Sequence, residues 1–380
     1  MEDIGSFDDL KLKDDVLRGV YGYGFENPSR IQYTSIPKFL SGKDLIAQAQ
    51  SGTGKTGAFT IASLNKVDPE LKKTQILILS PTHELTGQIT DVLIELNKYT
   101  KYSILKLIGG MNTNECCDLL SKDPQIIVGT PGKILDLIIR KRLFTDSITT
   151  FILDEADEML SYGFQESISN IISFLSKECQ ICLYSATIPT EILDLTEKFM
   201  DNPERILINN EELTLDGIKQ FYINSKNSEW KVDIIKDLYE MINIGQCIIY
   251  INSKDRLNKV YRELLDSDFA VNCISGEKTI QERKQIMEEF RRGEIRTLLS
   301  TDLLARGIDI QQLSLVINYD IPIDKEVYIH RIGRSGRYGR KGVAINLITD
   351  KDYNKLNELK SFYDTKIDEM PNDISEYLKF

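Results

Sequence analysis

Three carboxylates crowd the end of an apolar run at residues 151–160, which read FILDEADEML. Asp154, Glu155 and Asp157 follow the apolar residues at once, and carboxylates this close to one another repel. A bound cation or a reaction that uses the carboxylates would offset that repulsion. The segment therefore predicts a strand that ends in a metal or acid–base site. The alternative is a solvated helix start, where acidic side chains interact favourably with the helix dipole.

A second stretch, AQSGTGKT at 49–56, has the composition of a phosphate-binding loop, with Ala49 in place of the usual first glycine. It follows the strand-like DLIAQ and precedes the helix-like AFTIASLNKV, which is the context that such a loop requires. Its glycines let the backbone wrap a phosphate and point its amides inward. The residues predicted to bind the nucleotide phosphates are Ser51, Gly52, Thr53, Gly54, Lys55 and Thr56.

The phosphate loop explains the acidic strand end. We expect Lys55 to neutralise β- and γ-phosphate oxygens, and Thr56 and Asp154 to hold Mg²⁺, the carboxylate usually through water. Glu155 then polarises the attacking water or accepts its proton. Since Mg²⁺ and Lys55 both offset the crowded negative charge, the two stretches together predict a site for Mg²⁺-dependent phosphoryl transfer.

The elements that must position these groups alternate along the 380 residues. Short β-rich runs alternate with stretches of helical spacing such as ELTGQITDVLIELNKYT and TIQERKQIMEEFRRG, which is typical of a doubly wound α/β fold. Near-continuous Ile/Leu/Val runs indicate strands of a parallel sheet that is buried on both faces. The runs interpreted as strands are DLIAQAQ, TQILILS, PQIIVGT, TTFILDE and QICLYSAT, then QCIIYINS, FAVNCIS, IRTLLST, LSLVINYD and GVAINLIT. We predict one domain at 1–210, a linker at 211–217 and a second domain at 218–380.

Composition limits the class of protein. Hydrophobic residues make up 41% and charged residues 28%, which is ordinary for a soluble globular chain. No long uncharged apolar segment is present and the first residues are acidic, so we expect neither a membrane span nor a signal peptide. Cys179 and Cys182 form a CxxC without a second pair or a nearby histidine, and we expect buried thiols in a reduced intracellular protein. The formal net charge of −11 argues against a simple electrostatic binder of nucleic acid.

The sequence DEAD at 154–157 and the motifs around it resemble the DEAD-box RNA helicases over nearly the full length of the chain. GFENPSRIQ resembles the family's Q motif, which implies that Gln32 reads the adenine edge and that Phe25 stacks on the ring. Ser185-Ala186-Thr187 resembles the motif that links the state of ATP to domain closure. The resemblance implies two tandem RecA-like domains with ATP between them.

STDLLARGID and YIHRIGRSGR resemble two motifs that the second domain of this family brings to the nucleotide. Phosphoryl transfer needs positive charge where the γ-phosphate develops negative charge, and arginines supply it. Arg334 and Arg337 are three residues apart and can share one face of a helical turn. The resemblance implies that both reach the γ-phosphate, that Asp309 contacts the ribose and that Tyr338 covers the adenine. It also implies that His330 couples the second domain to the DEAD and SAT residues, among them Asp157.

The resemblance further implies RNA as a partner, held by its sugar–phosphate backbone without reading of the bases. Backbone amides and helix N-termini suit that task, which reconciles an acidic chain with RNA. The matching positions are Pro81, Thr82, His83, Gly109, Gly110, Thr130, Pro131, Gly132 and Lys133 in the first half, and Asn252, Gly276, Arg283 and Thr301 in the second.

Three motifs depart from the family pattern. PTHELT replaces PTRELA, and a neutral His83 is expected to weaken RNA binding or make it sensitive to pH. TPGK replaces TPGR, so that Lys133 keeps the charge without the bidentate fork of arginine. SGE replaces HGD, which puts Ser275 in place of a polar ring.

The prediction is therefore an ATP-dependent RNA helicase that clamps and locally unwinds RNA, acts as a monomer and binds a helical-repeat scaffold protein. The nearly bare core resembles the branch of the family that acts in cytoplasmic translation initiation on mRNA 5′ leaders. A nuclear branch that acts in splicing-associated complexes or ribosome assembly is the alternative. A non-catalytic ATP-gated clamp or adaptor would predict loss of Lys55, Glu155 or Arg337, and all three are present. A DNA translocase is a further alternative.

Overall fold

The computed structural model describes residues 5–49, 52–161, 163–188, 196, 198–207, 218–241, 245–302, 313, 315–333 and 342–371. The chain forms two compact units, Met1–Ile208 and Asn209–Phe380, which we call the first and the second unit. The predicted linker at 211–217 lies outside the described residues. The same holds for Ser51, Asp309, Arg334, Arg337 and Tyr338.

The first unit is built on a parallel sheet. Its strands are β1 (Leu45–Gln48), β2 (Ile76–Leu79), β3 (Ile104–Leu107), β4 (Ile126–Gly129), β5 (Thr150–Asp154), β6 (Gln180–Ser185) and β7 (Glu204–Ile206). Its helices include α1 (Asp14–Tyr23), α2 (Arg30–Leu40), α3 (Lys55–Lys66), α4 (His83–Leu96), α5 (Thr113–Leu120), α6 (Pro131–Ile139), α7 (Ala156–Ser161) and α8 (Gln165–Ser173), after a 3₁₀ turn at Phe7–Leu10. The strands lie in the order β3-β4-β2-β5-β6-β1-β7.

Helices cover both faces of this sheet, which explains its continuous apolar strands. Alternate residues of β2 point to opposite faces. Ile76 and Ile78 pack into a core with side chains of α1–α4, whereas Leu77 and Leu79 pack into a second core with side chains of α5–α8. All four residues are fully buried. A strand between two cores needs apolar side chains at every position, as the sequence predicts.

The second unit repeats this plan. Its strands are β8 (Ile218–Asn224), β9 (Cys247–Tyr250), β10 (Val271–Ile274), β11 (Thr297–Ser300), β12 (Leu315–Asn318), β13 (Gly342–Ile348) and β14 (Asp368–Glu369). Its helices include α9 (Lys231–Met241), α10 (Lys254–Leu265), α11 (Ile280–Arg291), α12 (Lys325–Ile332) and α13 (Tyr353–Phe362), with 3₁₀ turns at Ser228–Trp230 and Asp350–Asp352. The strand order is β10-β11-β9-β12-β13-β8-β14. Numbered within each unit, both sheets read 3-4-2-5-6-1-7.

The fold class is confirmed, and all ten runs interpreted as strands are strands. The sequence did not predict β3, β7, β8 and β14. Strands β3, β7 and β14 lie at sheet edges, and β8 lies beside the two-residue β14. An edge strand is partly exposed and needs no continuous apolar run, so its signal is weak. Cys179 and Cys182 are buried beside and within β6, as predicted, and burial raises the pKa of the Cys179 thiol to about 12.

Within the described ranges, no helix has both the length and the apolar character that crossing a membrane would need.

The close approach of α1 to α4 yields a stability prediction. A Cβ atom on Gly19 would lie 2.1 Å from the backbone oxygen of Leu96, so Gly19→Ala must push the two helices apart. Overpacking of this kind costs about 1–3 kcal/mol, and we expect the melting temperature to fall by several degrees in calorimetry. Gly87→Ala is the matched control, because a Cβ there meets nothing within 4 Å. That helical substitution is expected to stabilise by about 0.4–1 kcal/mol. Equal effects of the two substitutions would contradict the packing.

Candidate active site

Three neighbouring strands of the first unit end in the predicted nucleotide residues. In the sheet, β5, β6 and β1 lie side by side, with Asp154 opposite Tyr184 and Gln48 opposite Ser185. Because parallel strands all end at the same edge, the DEAD residues, the SAT residues and the phosphate loop meet there. Ligands of doubly wound sheets bind at this carboxyl edge.

The phosphate loop has the backbone that its glycines predict. Gly52 and Gly54 have φ angles of +81° and +102°, which favour glycine, and α3 begins at Lys55. The Lys55 side chain is buried, and its ammonium group donates a hydrogen bond of 2.7 Å to the backbone oxygen of Ala49. The Lys55 ammonium group thus lies at the start of the phosphate loop, where it is predicted to bind the nucleotide phosphates.

Gln32 lies against this loop, and Phe25 lies against the first turn of α3. The Gln32 amide accepts a 2.8 Å hydrogen bond from the backbone nitrogen of Ser29 and donates one of 3.3 Å to the backbone oxygen of Gly54. The Phe25 ring lies 3.2 Å from the position that a Cβ on Gly57 would take. The sequence associated Gln32 with the adenine edge, and the structure shows in addition that it braces the phosphate loop.

The carboxylates at the end of β5 are buried. Asp154 is 2% exposed and Glu155 5% exposed. Burial, and then the neighbouring Glu155 charge, raise the pKa of Asp154 to about 8, although Lys55 opposes the shift. Glu155 has a φ angle of +53°, a left-handed conformation that costs a non-glycine residue free energy and is concentrated at functional sites.

The same carboxylates fit a divalent cation. Asp154 Oδ1 and Glu155 Oε2 are buried and have no hydrogen-bond partner within the described part of the chain. Mg²⁺ takes oxygen ligands in proteins, and two buried carboxylate oxygens supply such donors, with Asp154 close enough to Lys55 of the phosphate loop for their charges to interact.

The DEAD and SAT residues are joined by hydrogen bonds. Thr187 Oγ1 donates to Asp157 Oδ2 at 2.6 Å, and the Asp157 backbone nitrogen donates to Ser185 Oγ at 3.2 Å. A movement of the carboxylate strand end therefore acts on the SAT residues through direct contacts. The fourth residue predicted to couple the site, His330, lies in α12 of the second unit.

The ends of three further strands carry the RNA residues predicted for the first unit. In the sheet, β3, β4 and β2 are neighbours, and they are followed by the Gly109, Thr130 and Pro81 segments. Thr82 caps α4 by accepting a 3.2 Å hydrogen bond from the Leu85 nitrogen, and Thr130 precedes α6 with Pro131 at its first position. Two helix N-termini and a glycine pair thus share one edge, and helix N-termini favour anions.

The second unit places its RNA candidates in the same way. Asn252, Gly276 and Thr301 follow the adjacent strands β9, β10 and β11, and Arg283 lies in the first turn of α11. The Asn252 side chain is engaged within the unit, since its amide donates to Ile321 O at 2.8 Å and accepts from Arg331 Nη2 at 2.6 Å.

Sequence reasoning missed Arg331. Its side chain is fully buried and also donates to Asp302 Oδ1 at 2.6 Å and to Asp320 O at 2.8 Å. It therefore ties three strand ends to α12. Its position within HRIGR marked it as basic, but nothing in the sequence distinguished a buried arginine from an exposed one.

The positions that depart from the family pattern are also placed. His83 begins α4, and Lys133 in α6 and Ser275 after β10 are 9% and 4% exposed. Lys133 therefore points into the protein, although the sequence had suggested a charge available to RNA.

Comparisons with known proteins agree with this geometry. A family model described as DEAD/DEAH box helicase matches residues 29–195, and one described as helicase conserved C-terminal domain matches residues 230–339. The chain is 51% identical to the ATP-dependent RNA helicase eIF4A of Kluyveromyces lactis, over 98% of this chain and 94% of that protein. The chain belongs to the DEAD-box helicase family.

Other members of the DEAD-box family match over similar lengths. Eukaryotic initiation factor 4A of Caenorhabditis elegans is 48% identical, over 99% of this chain and 93% of that protein. Among solved structures, Saccharomyces cerevisiae Dbp5 L327V bound to RNA and ADP BeF3 matches with a TM-score of 0.91 and 37% identity, over 98% of this chain and 97% of that one. The family resemblance in the sequence is thereby confirmed.

The raised pKa of Asp154 yields a prediction about pH. In the folded protein the pKa of this carboxyl is raised to about 8, whereas an ordinary aspartate has a pKa of 3.8. The folded state therefore binds more protons than the unfolded state between these values, and the carboxyl destabilises the fold increasingly as pH rises through that window. Asp154→Asn removes the effect. In EDTA we expect the variant to melt higher than wild type at pH 8, by several degrees, with a smaller difference at pH 5.

The control for this experiment is Asp146→Asn, which changes an exposed carboxyl in the same unit. Its melting temperature should track that of the wild type at both pH values. A gain from Asp154→Asn that is the same at pH 5 and pH 8 would show that the buried charge is not its cause.

Proposed function

We propose that the protein is an ATP-dependent RNA helicase that clamps RNA and locally unwinds short duplexes during translation initiation on mRNA 5′ leaders. The observation that carries the proposal is the division of one sheet edge into two halves. The ends of β5, β6 and β1 hold the nucleotide residues, and the ends of β3, β4 and β2 hold the RNA candidates. Relatives about half identical to this chain are named as initiation factor 4A helicases, which supports the role in initiation.

The chemistry follows from the residues at the first half-edge. Lys55 would leave the Ala49 oxygen to bind β- and γ-phosphate oxygens, and Asp154 and Thr56 would hold Mg²⁺. When bound, Mg²⁺ supplies positive charge to the phosphate oxygens. Glu155 would orient the attacking water and accept its proton, in a buried setting that strengthens such interactions.

The second unit would complete the site. Arg334 and Arg337 would stabilise the charge that develops on the γ-phosphate, with Asp309 on the ribose and Tyr338 over the adenine. ATP and RNA binding together would favour the arrangement in which these groups reach the nucleotide, and phosphate release would reverse it. The hydrogen bonds of Asp157 to Ser185 and Thr187 support such coupling.

The partner expected beyond RNA is a scaffold protein of stacked helical repeats that holds both units and speeds their closure. A helicase of translation initiation works in the cytoplasm, and we propose that location for this protein.

The proposed function is tested by ATP turnover with and without single-stranded RNA in wild type and Glu155→Gln. We expect RNA to stimulate the wild type, and the substitution to lower turnover about 10²–10⁴-fold, because a general base of this kind contributes that much. Binding of a fluorescent ATP analogue should persist in the variant. Glu166→Gln, on the exposed face of α8, is the matched control and should behave as wild type.

Replacing the RNA by DNA of the same sequence separates this proposal from a DNA translocase, because only RNA carries 2′-hydroxyls. Equal stimulation by DNA would contradict the RNA assignment. Turnover that RNA does not change, in a protein that binds ATP, would favour the non-catalytic clamp.

A further inference from the structure

The two departures from the family pattern in the first unit contact one loop. His83 begins α4 and Lys133 lies in the first turn of α6, while Ile108–Met111 follows β3. Lys133 Nζ donates a 3.0 Å hydrogen bond to the backbone oxygen of Met111. His83 Nε2 lies 3.0 Å from the position that a Cβ on Gly109 would take. The loop is thus contacted from both neighbouring helices.

The burial of Lys133 indicates whether its ammonium group binds the protein or an RNA phosphate. Only 9% of the residue is exposed, and a buried ammonium group needs a hydrogen-bond acceptor. The Met111 carbonyl supplies one. A lysine that binds a phosphate as a point charge would instead extend into solvent, where the phosphate can reach it. The contact and the burial both direct Lys133 toward the loop.

Met111 closes this loop through two contacts to Ile108. Its sulfur accepts a hydrogen bond of 3.5 Å from the Ile108 nitrogen, and its own nitrogen donates to Ile108 O at 3.4 Å. Between these contacts, Gly110 has a φ angle of +83°, and a Cβ there would meet nothing within 4 Å. The hydrogen bond from Lys133 to the Met111 carbonyl therefore holds the end of the turn that contains Gly109 and Gly110.

We propose that Lys133 is a positioning residue, which holds the Gly109–Gly110 loop in the shape that presents its backbone to an RNA phosphate and does not contact the phosphate itself. The inference rests on the proposed RNA helicase function. It gives Lys133 a role different from the direct phosphate contact that a charge at this position suggests, and it makes His83 the packing partner on the opposite side of the loop.

Salt dependence distinguishes the two roles. A protein that neutralises phosphates releases counterions, so the logarithm of its affinity for a single strand falls with the logarithm of salt concentration with a slope of about −0.7 per phosphate contact. Removing a direct contact makes the slope shallower by about 0.7, whereas removing a positioning residue weakens binding and leaves the slope unchanged.

The experiment measures binding of a fluorescent single-stranded RNA, with a non-hydrolysable ATP analogue, across a series of KCl concentrations. It compares wild type with Lys133→Met, and with Lys177→Met as the control for loss of an exposed lysine. We expect Lys133→Met to weaken binding about tenfold or more at every salt concentration with the wild-type slope, and Lys177→Met to match wild type. A slope shallower by about 0.7, or unchanged affinity, would overturn the proposal.

Two additions keep the test decisive. Lys133→Gln removes the charge but keeps an amide donor, and it replaces Lys133→Met if that variant does not fold. The slope of its RNA affinity against salt concentration then distinguishes the two roles in the same way. Hydrogen–deuterium exchange at residues 108–111 without RNA should be faster in the Lys133 variant than in Lys177→Met; equal exchange would contradict the positioning role. If wild type shows neither RNA binding nor RNA-stimulated turnover, the proposed function has failed, and that result is separate from either readout on Lys133.

Discussion

The parallel pairing of β2 with β5 is the constraint on which the rest of the first unit depends. Leu79 lies opposite Leu153, so both strands end together at the carboxyl edge. Asp154 is the last residue of β5 and Glu155 follows it, while the residues after β2 lead to the Thr82 cap of α4. This one pairing therefore joins the half-edge of β5, β6 and β1 to the half-edge of β3, β4 and β2, and the residues predicted to bind nucleotide and those predicted to bind RNA lie along one edge of the same sheet.

The chain as a whole is acidic, with a net charge of −11. Any attraction of this sheet edge for phosphate must therefore come from the groups that lie at the edge itself. At the nucleotide half, buried carboxylates face Lys55, and the raised pKa of Asp154 reflects a burial that a cation would relieve. At the RNA half, helix N-termini and glycine backbone offer partial positive charge without basic side chains. Lys133, the cation placed there, is directed into the protein. An acidic protein can thus present a surface suited to a phosphate backbone.

Much of the fold and of the candidate site was predictable from the sequence. Continuous apolar runs such as ILIL in β2 indicated buried parallel strands, and the order of strand, glycine loop and helix identified the phosphate loop. The edge strand β3 was not predicted, because its partly exposed residues interrupt the apolar pattern. The burial of Lys133 and Arg331 was not predicted for a different reason. Both are basic residues within basic or polar motifs, and only tertiary packing shows that their charges are buried against carbonyl and carboxylate oxygens.

The measurement that tests the account most directly is the linkage between the two half-edges. Affinity for a short single-stranded RNA is determined with and without a non-hydrolysable ATP analogue and Mg²⁺, and affinity for the analogue is determined with and without the RNA. If the pairing of β2 with β5 couples the two sites, each ligand strengthens binding of the other by the same factor, since coupling is reciprocal. RNA affinity that is the same with and without the nucleotide would contradict the central claim.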